Sequence, residues 1–303
     1  MKIGMIGLGK MGGNMARRLR KAGIEVVGYN LEQQVTDQIA KETGMIASNS
    51  LVDAIAKLEA PRVVWLMLPA GEPTEETIVK MKGMLSRGDI VIEGGNSYYK
   101  DSQRRHAFLK EAGIGFIDAG TSGGIWGLQN GYALMVGGDK ADFAKVEPFI
   151  KALAPGEDKG WLHCGPSGSG HFTKMIHNGI EYGMMQAYAE GFALLKGKDG
   201  FDLDIAAISE MWRHGSVVRS WLLDLTAEFL AVDQELATID PFVTDSGEGR
   251  WTVLESVEQG VPTPVMTMAL MRRFASQGKG DYPNKLLAMM RKGFGGHAVK
   301  AGS

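Results

Sequence analysis

Cysteine is almost missing from this sequence. Cys164 is the one cysteine in 303 residues, so no intrachain disulfide can form and no cysteine-rich zinc or iron–sulfur site can be built. Neither charge is in excess: 33 Lys and Arg stand against 35 Asp and Glu, a formal net charge of -2. That balance argues against a general nucleic-acid binder or a protein drawn to anionic membranes, both of which are normally basic. Long hydrophobic runs are missing too. No stretch of about 18 uninterrupted apolar residues occurs, so no transmembrane helix is expected. The opening Met1-Lys2-Ile3-Gly4-Met5-Ile6 is too short for the apolar core of a signal peptide, and Gly4 breaks it. The expectation is a soluble cytoplasmic protein without nucleic-acid or membrane partners. Six scattered histidines offer no ligand cluster, and no metal is expected.

Glycine, by contrast, is abundant: 42 of the 303 residues, about twice ordinary use. The glycines follow no period. They gather at the ends of apolar runs, where tight turns and close backbone approach to ligands need them. At roughly 150 residues per domain the length favours two domains over one.

The first half alternates short runs rich in Val, Ile, Leu and Met with helical stretches. The strand candidates are Lys2–Ile6, Glu25–Tyr29, Arg62–Leu68, Asp89–Glu93, Gly115–Asp118 and Tyr132–Val136. In places both faces are apolar, as buried parallel strands require. Between them lie the helical stretches Met11–Lys21, Glu32–Thr43, Thr74–Leu85, Ser102–Ala112 and Lys140–Leu153. This alternation predicts a doubly wound parallel α/β sheet with helices on both faces. The last two strand candidates leave no room for a crossover helix between them. From about Ser169 the strand signal stops. His171–Lys196 is a long helical candidate, followed by Asp204–His214, Val218–Asp233, Thr252–Gln259, Pro264–Ser276 and Asn284–Lys292. The prediction is an α/β domain over 1–168 and an all-α domain over 169–303, divided in the Gly/Ser-rich stretch Cys164–Gly170.

Gly7-Leu8-Gly9-Lys10-Met11-Gly12 is a G-x-G-x-x-G element. Alone it carries little weight in so glycine-rich a chain. Here it follows the first strand candidate and opens the first helix. In that setting the glycines allow a tight turn, close approach of a pyrophosphate and helix–strand packing, and the helix N-terminus stabilises the phosphates. A dinucleotide held by these six residues is expected. Leu68, Pro69, Ala70 and Asn96 are assigned to the same site. The end of the second strand, Tyr29-Asn30-Leu31-Glu32, should decide between NAD and NADP, and it holds no Arg or Lys. Glu32 lies about 20 residues past the fingerprint, where an acidic residue is expected on the ribose, although a first-turn carboxylate favoured by the helix dipole would read the same way. The missing cation is the firmer sign. NAD is the expected cofactor, with NADP the alternative, and Asn30, Leu31 and Glu32 are the deciding residues.

Lys174, His177, Asn178, Glu181 and Tyr182 are spaced at three, four, seven and eight residues, which puts them on one helical face. A solvated face with a Lys–Glu pair is the ordinary explanation of such a stripe. Met175, Ile176 and Ile180 on the other side, and the glycines alongside, point instead to a functional face. A lysine stripped of water can act as a base near neutral pH, while a carboxylic acid delivers a proton elsewhere.

Together, Gly7–Gly12 with Met11, Glu93-Gly94-Gly95-Asn96-Ser97, Thr121-Ser122-Gly123-Gly124 and Lys174–Gly183 closely resemble the 6-phosphogluconate dehydrogenases, in their short form. The resemblance runs from Met1 to about His297. The Lys-x-x-His-Asn-Gly-x-Glu-Tyr-Gly block is its most specific part, because the wider β-hydroxyacid dehydrogenases share the glycine opening, the Ser-Gly-Gly turn and the lysine but usually not the rest. The resemblance implies a Rossmann-type domain followed by a helical one. It also implies oxidative decarboxylation of 6-phosphogluconate in the pentose phosphate pathway, with Lys174 as base and Glu181 as acid.

Asn96, Ser122, Gly123 and Gly124 match substrate-holding residues, though Ser and Gly also serve as plain turn residues. His177, Asn178 and Tyr182 are carried over as substrate ligands. Gly249-Arg250-Trp251-Thr252 resembles a block whose basic residue is a phosphate-binding lysine; Arg250 keeps the charge and adds a bidentate fork. Arg272 and Arg273 are further phosphate candidates between which the sequence does not choose. Arg291 and His297 match a tail that reaches a partner's substrate, which implies a homodimer, or a dimer of dimers, with shared active sites. Both are expected beyond the last helix, in a glycine-rich tail. A non-decarboxylating β-hydroxyacid dehydrogenase on a small acid is the rival, and it would need neither Glu181 nor the phosphate ligands.

Overall fold

The computed structural model describes residues 1–295 and 298–300, without the side chains of 293–295. It divides into two compact units, Met1–Ile176 and His177–Ser303. The first is α/β. Its strands are β1 (Lys2–Ile6), β2 (Glu25–Tyr29), β3 (Ile46–Ala47), β4 (Val63–Leu66), β5 (Ile90–Glu93), β6 (Gly115–Ser122), β7 (Ala133–Gly138) and β8 (Trp161–Gly165). Among the described residues they form one eight-stranded sheet in the order β3-β2-β1-β4-β5-β6-β7-β8. Neighbours pair parallel except β6 and β7, which run antiparallel. The short link between those two admits no crossover helix, so an antiparallel pair is the geometry left to it.

The helices of this unit are α1 (Lys10–Lys21), α2 (Gln33–Thr43), α3 (Leu51–Ala56), α4 (Glu72–Lys82), α5 (Tyr99–Lys110), α6 (Gly127–Asn130) and α7 (Lys140–Leu153). Two hydrophobic cores fill the two faces of the sheet, and successive strand residues alternate between them. Ile3, Met5 and Trp65 enter one; Ile6, Val64 and Leu66 enter the other. The central strands β4 and β5 are buried at every position, which is why Val63–Leu66 and Ile90–Ile92 read as unbroken apolar runs. Four elements were not expected from the sequence, the four-residue α6 among them. β3 has two residues, α3 has six and is capped by Ser50, whose Oγ accepts from Asp53 N at 3.0 Å, and β8 reads WLHCG, with His163 inside it.

A long helix, α8 (Ser169–Lys196), starts in the first unit. The second unit is helical: α9 (Ile205–Trp212), α10 (Trp221–Val232), α11 (Glu248–Gln259), α12 (Pro264–Phe274) and α13 (Asp281–Gly295). The α/β fold followed by an all-α domain is thus the observed architecture. Among the described residues no helix is long and apolar enough to cross a membrane. The compact units part eight residues beyond the expected division at 168/169, because the first turns of α8 pack on the sheet. A Cβ on Gly170 would lie 2.4 Å from Met135 O and 2.5 Å from Asp118 O.

Candidate active site

A cavity of about 910 Å3 opens where β1, β4 and β5 end. The strand order reverses at β1, and open α/β sheets bind their ligands at such a point. Gly7, Gly9, Lys10, Met11 and Gly12 line it, with Asn30, Leu31, Leu68, Pro69 and Asn96. The three fingerprint glycines serve different ends. Gly7 has φ +89° and lies so near β4 that a Cβ would sit 2.4 Å from Met67 O. A Cβ on Gly12 would strike Gly7 O, so that glycine lets helix and turn close up. Beside Gly9 there is open space, and α1 has no side-chain cap and no acidic residue in its first turn. An uncapped helix N-terminus under a bare backbone suits a pyrophosphate, and the cavity is large enough for a dinucleotide.

Some assigned residues do other work. Leu8 is 2% exposed and its side chain belongs to the core; its N–H donates to Asn30 Oδ1 at 3.0 Å. Asn30 therefore props the glycine loop with its carbonyl while lining the cavity. Glu32 precedes α2 as an exposed residue and does not line the cavity, nor does Ala70. Leu31, 90% exposed, holds the rim instead. Gly94, Gly95, Ser50 and Lys80 also line the cavity and were not expected there from the sequence. Lys80 stands on α4 with Nζ 3.3 Å from Glu76 Oε2, too far along the chain for a rule about the end of β2 to find it.

Lys174 is 5% exposed. Gly120 on β6 makes room for it: a Cβ there would lie 2.4 Å from Lys174 Cβ. Asp118, fully buried on the same strand, sets the start of α8. Its Oδ1 accepts from Gly168 N at 2.7 Å and its Oδ2 from His171 N at 2.9 Å. A carboxylate at a helix N-terminus satisfies N–H groups that have no partner in the helix and complements the dipole. His171, 1% exposed, places Nδ1 2.7 Å from Ser102 Oγ and 3.5 Å from Glu93 Oε2.

Asn96 has φ 54° and clamps β6 with both ends of its amide: Nδ2 donates to Thr121 O at 3.1 Å and Oδ1 accepts from Thr121 N at 2.8 Å. Ser122 closes β6, a strand four residues longer than expected, so it is not a turn residue. Gly123 and Gly124 follow with φ 129° and 51°.

In the second unit, His177 Nδ1 lies 3.0 Å from Asn178 Oδ1 and 3.8 Å from Glu181 Oε2. Tyr182 is 5% exposed, whereas Ile180 is 52% exposed. The two sides of α8 are unevenly covered: Lys174 and Tyr182 are buried while His177 and Glu181 are partly exposed, and opposite them Met175 is buried while Ile180 is exposed. Tyr182 lies on Gly249, where a Cβ would sit 2.5 Å from its ring, and a Cβ on Gly179 would meet Thr252 at 2.6 Å. The two sequence blocks are therefore one packed unit.

Of the two neighbours left open, Arg273 has its guanidinium 3.4 Å over the Tyr182 ring, while Arg272 is exposed. Arg250 lies 4.7 Å over the Phe274 ring, with Nε 2.5 Å from Asp245 Oδ2. Arg291 does not lie beyond the last helix. It is an exposed residue within α13, which runs on to Gly295 because glycines at 293 and 295 are tolerated at a helix end. His297 lies outside the described residues. Among the described residues no three His, Cys, Asp or Glu side chains gather as a metal site.

An α/β domain with a glycine turn and a cleft at its strand ends, followed by a helical domain, defines a class of dinucleotide-binding proteins. Within that class the chain belongs to the 6-phosphogluconate dehydrogenase family. Residues 2–165 match the model of the NAD binding domain of 6-phosphogluconate dehydrogenase, and residues 170–300 match its C-terminal domain. The chain is 39% identical to an NAD(+)-dependent, decarboxylating 6-phosphogluconate dehydrogenase of Haloferax volcanii, over 99% of this chain and 98% of that protein. A Bacillus subtilis enzyme of the same description is 39% identical over 92% of this chain and is longer, with 62% of it covered. The Plasmodium falciparum 6-phosphogluconate dehydrogenase, solved apo, with NADP+ and with 6-phosphogluconate, superposes with a TM-score of 0.85. Its identity is 29%, over all of this chain and 66% of that one. A 3-hydroxyisobutyrate dehydrogenase of Mycobacterium tuberculosis shares the fold, at TM-score 0.73 and 23% identity over 92% of this chain and 94% of that one.

Proposed function

We propose that the chain oxidatively decarboxylates 6-phospho-D-gluconate to D-ribulose 5-phosphate and carbon dioxide, with NAD preferred over NADP. The gathering of Arg250 and Arg273 about the Tyr182 corner of the helical unit carries this reading. Two guanidiniums suit a phosphate dianion, a group that a small unphosphorylated acid lacks. The bound dinucleotide supplies the hydride acceptor. Lys174, as the neutral amine, takes the proton of the C3 hydroxyl as the C3 hydrogen departs with its electron pair. The 3-keto acid then loses its carboxylate as carbon dioxide, and the freed electron pair flows into the ketone. The ammonium of Lys174 returns its proton to that oxygen. Glu181 then protonates C1 of the enediol while Lys174, neutral again, takes the proton of the neighbouring hydroxyl as its carbonyl forms, which completes the ketose. A β-keto acid holds its own electron sink, so this sequence asks for no metal.

The preference for NAD is supported by the absence of Arg or Lys at Asn30, Leu31 and Glu32. We propose further that the chain works as a homodimer, alone or doubled, with Arg291 and His297 serving the partner's substrate. Exposed apolar side chains across the helical unit support association: Val257 at 76%, Val265 at 69%, Met268 at 60% and Leu287 at 56%.

Incubation with 6-phosphogluconate and NAD should yield reduced cofactor and carbon dioxide in equal amounts. Lys174→Met should lose roughly 10²- to 10⁴-fold in rate while still binding cofactor. Reduced cofactor without carbon dioxide would assign the non-decarboxylating reaction, and a higher kcat/KM with NADP would reverse the cofactor preference.

A further inference from the structure

The residue argued to hold the phosphate, Arg250, is already in contact with a carboxylate. Asp245 Oδ2 accepts from Arg250 Nε at 2.5 Å, and Asp245 Oδ1 accepts from Gly247 N at 3.1 Å. The Asp245 side chain is 2% exposed, whereas that of Arg250 is 49% exposed. The anion is thus the fixed partner, anchored in the turn that leads into α11, and the cation is the partner that reaches solvent. Phe274 lies against the flat face of the guanidinium, 4.7 Å from Cζ to the ring centroid. Among the described residues the carboxylate that meets this guanidinium does so at Nε.

A guanidinium has two hydrogen-bonding sides in its plane, the Nε side and the terminal Nη fork, and they point in different directions. Held at Nε and stacked on Phe274, Arg250 keeps the terminal fork for a second anion. An ammonium has no such division. It is a compact point charge, and an anchored carboxylate beside it would draw it in and cancel its charge. We propose that Asp245 is a positioning residue for the phosphate site, and that its presence is what makes arginine, rather than lysine, necessary at position 250. Asp245 acts through Arg250: it turns the fork outward and sets the group that recognises a phosphomonoester. This rests on the assignment of Arg250 to the substrate phosphate.

Kinetics with 6-phosphogluconate separate the two ideas. Arg250→Ala should raise KM about ten- to a hundredfold, because charge-assisted hydrogen bonds to the phosphate are lost; an unchanged KM would overturn the phosphate assignment itself. Arg250→Lys should raise KM nearly as much, with kcat within about threefold of native, since no group at the reacting carbons has changed. The paired change Asp245→Asn with Arg250→Lys should bring KM back to within about fivefold of native, a recovery that only coupled residues show. If Asp245→Asn unfolds the chain, as judged by circular dichroism, Asp245→Ser replaces it, because a hydroxyl can still accept from Gly247 N. A native KM for Arg250→Lys alone, a paired variant no better than that single one, or a loss confined to kcat would each overturn the positioning role and leave the phosphate assignment standing.

Discussion

Tyr132 is a buried phenol held for its ring. The ring fills the space over Gly127, where a Cβ would fall 2.0 Å from Tyr132 Cε1. The side chain is fully buried, and its hydroxyl finds no partner among the described residues. Burial pushes this phenol up to about 12 from the usual 10.0. The folded chain therefore holds its proton more tightly than the unfolded one. Its contribution is intact below about pH 10 and is lost as pH climbs from there toward 12. Tyr132→Phe removes an unsatisfied buried group without opening a cavity, so it should be neutral to stabilising by about 1 kcal/mol at neutral pH. It should also flatten the decline above pH 10. Urea titrations of both proteins at neutral pH and near pH 11 test this, and a steeper alkaline loss in the Phe variant would refute it.

α8 depends on a residue about 50 positions before it. Asp118 accepts from Gly168 N and His171 N, and Lys174 follows one turn later. Asp118→Asn should cost about 1–3 kcal/mol, because the amide keeps one acceptor and leaves one of the two buried N–H groups without a partner. It should also lower kcat more than it weakens cofactor binding, because the cofactor cavity is built from β1, β4 and β5. Melting curves, turnover and cofactor titration together check it; cofactor affinity falling in step with kcat would contradict it. The same distance explains what the sequence could not show. β1, β2 and α7 are legible to the residue because strand alternation and helix period are local. The glycine fingerprint is legible for the same reason. Asp118 is not, since capping rules look three residues ahead. The seating of Tyr182 on Gly249 and the stacking of Arg273 join residues from α8, α11 and α12. β3 escaped through shortness, and β8 because His163 and Cys164 dilute its apolar pattern.

If the C-terminal residues serve the partner's substrate, Lys174→Ala and Arg291→Ala are each inactive alone but complementary when mixed. Unfolded together in equal amounts and refolded, half of the dimers are mixed and each mixed dimer has one intact site. Activity should return to roughly a quarter of native. No recovery, with mixed dimers demonstrated, would confine each site to one subunit. The exposed methionines and valines of the helical unit bear on how the protein is made as well as how it works. If the chain works only as a dimer, pairing is second order in chain concentration, whereas capture of sticky monomers by chaperones and proteases is first order. Doubling the synthesis rate at low expression should therefore more than double the yield of active enzyme. A gene silenced to a small fraction of its output would lose more activity than message.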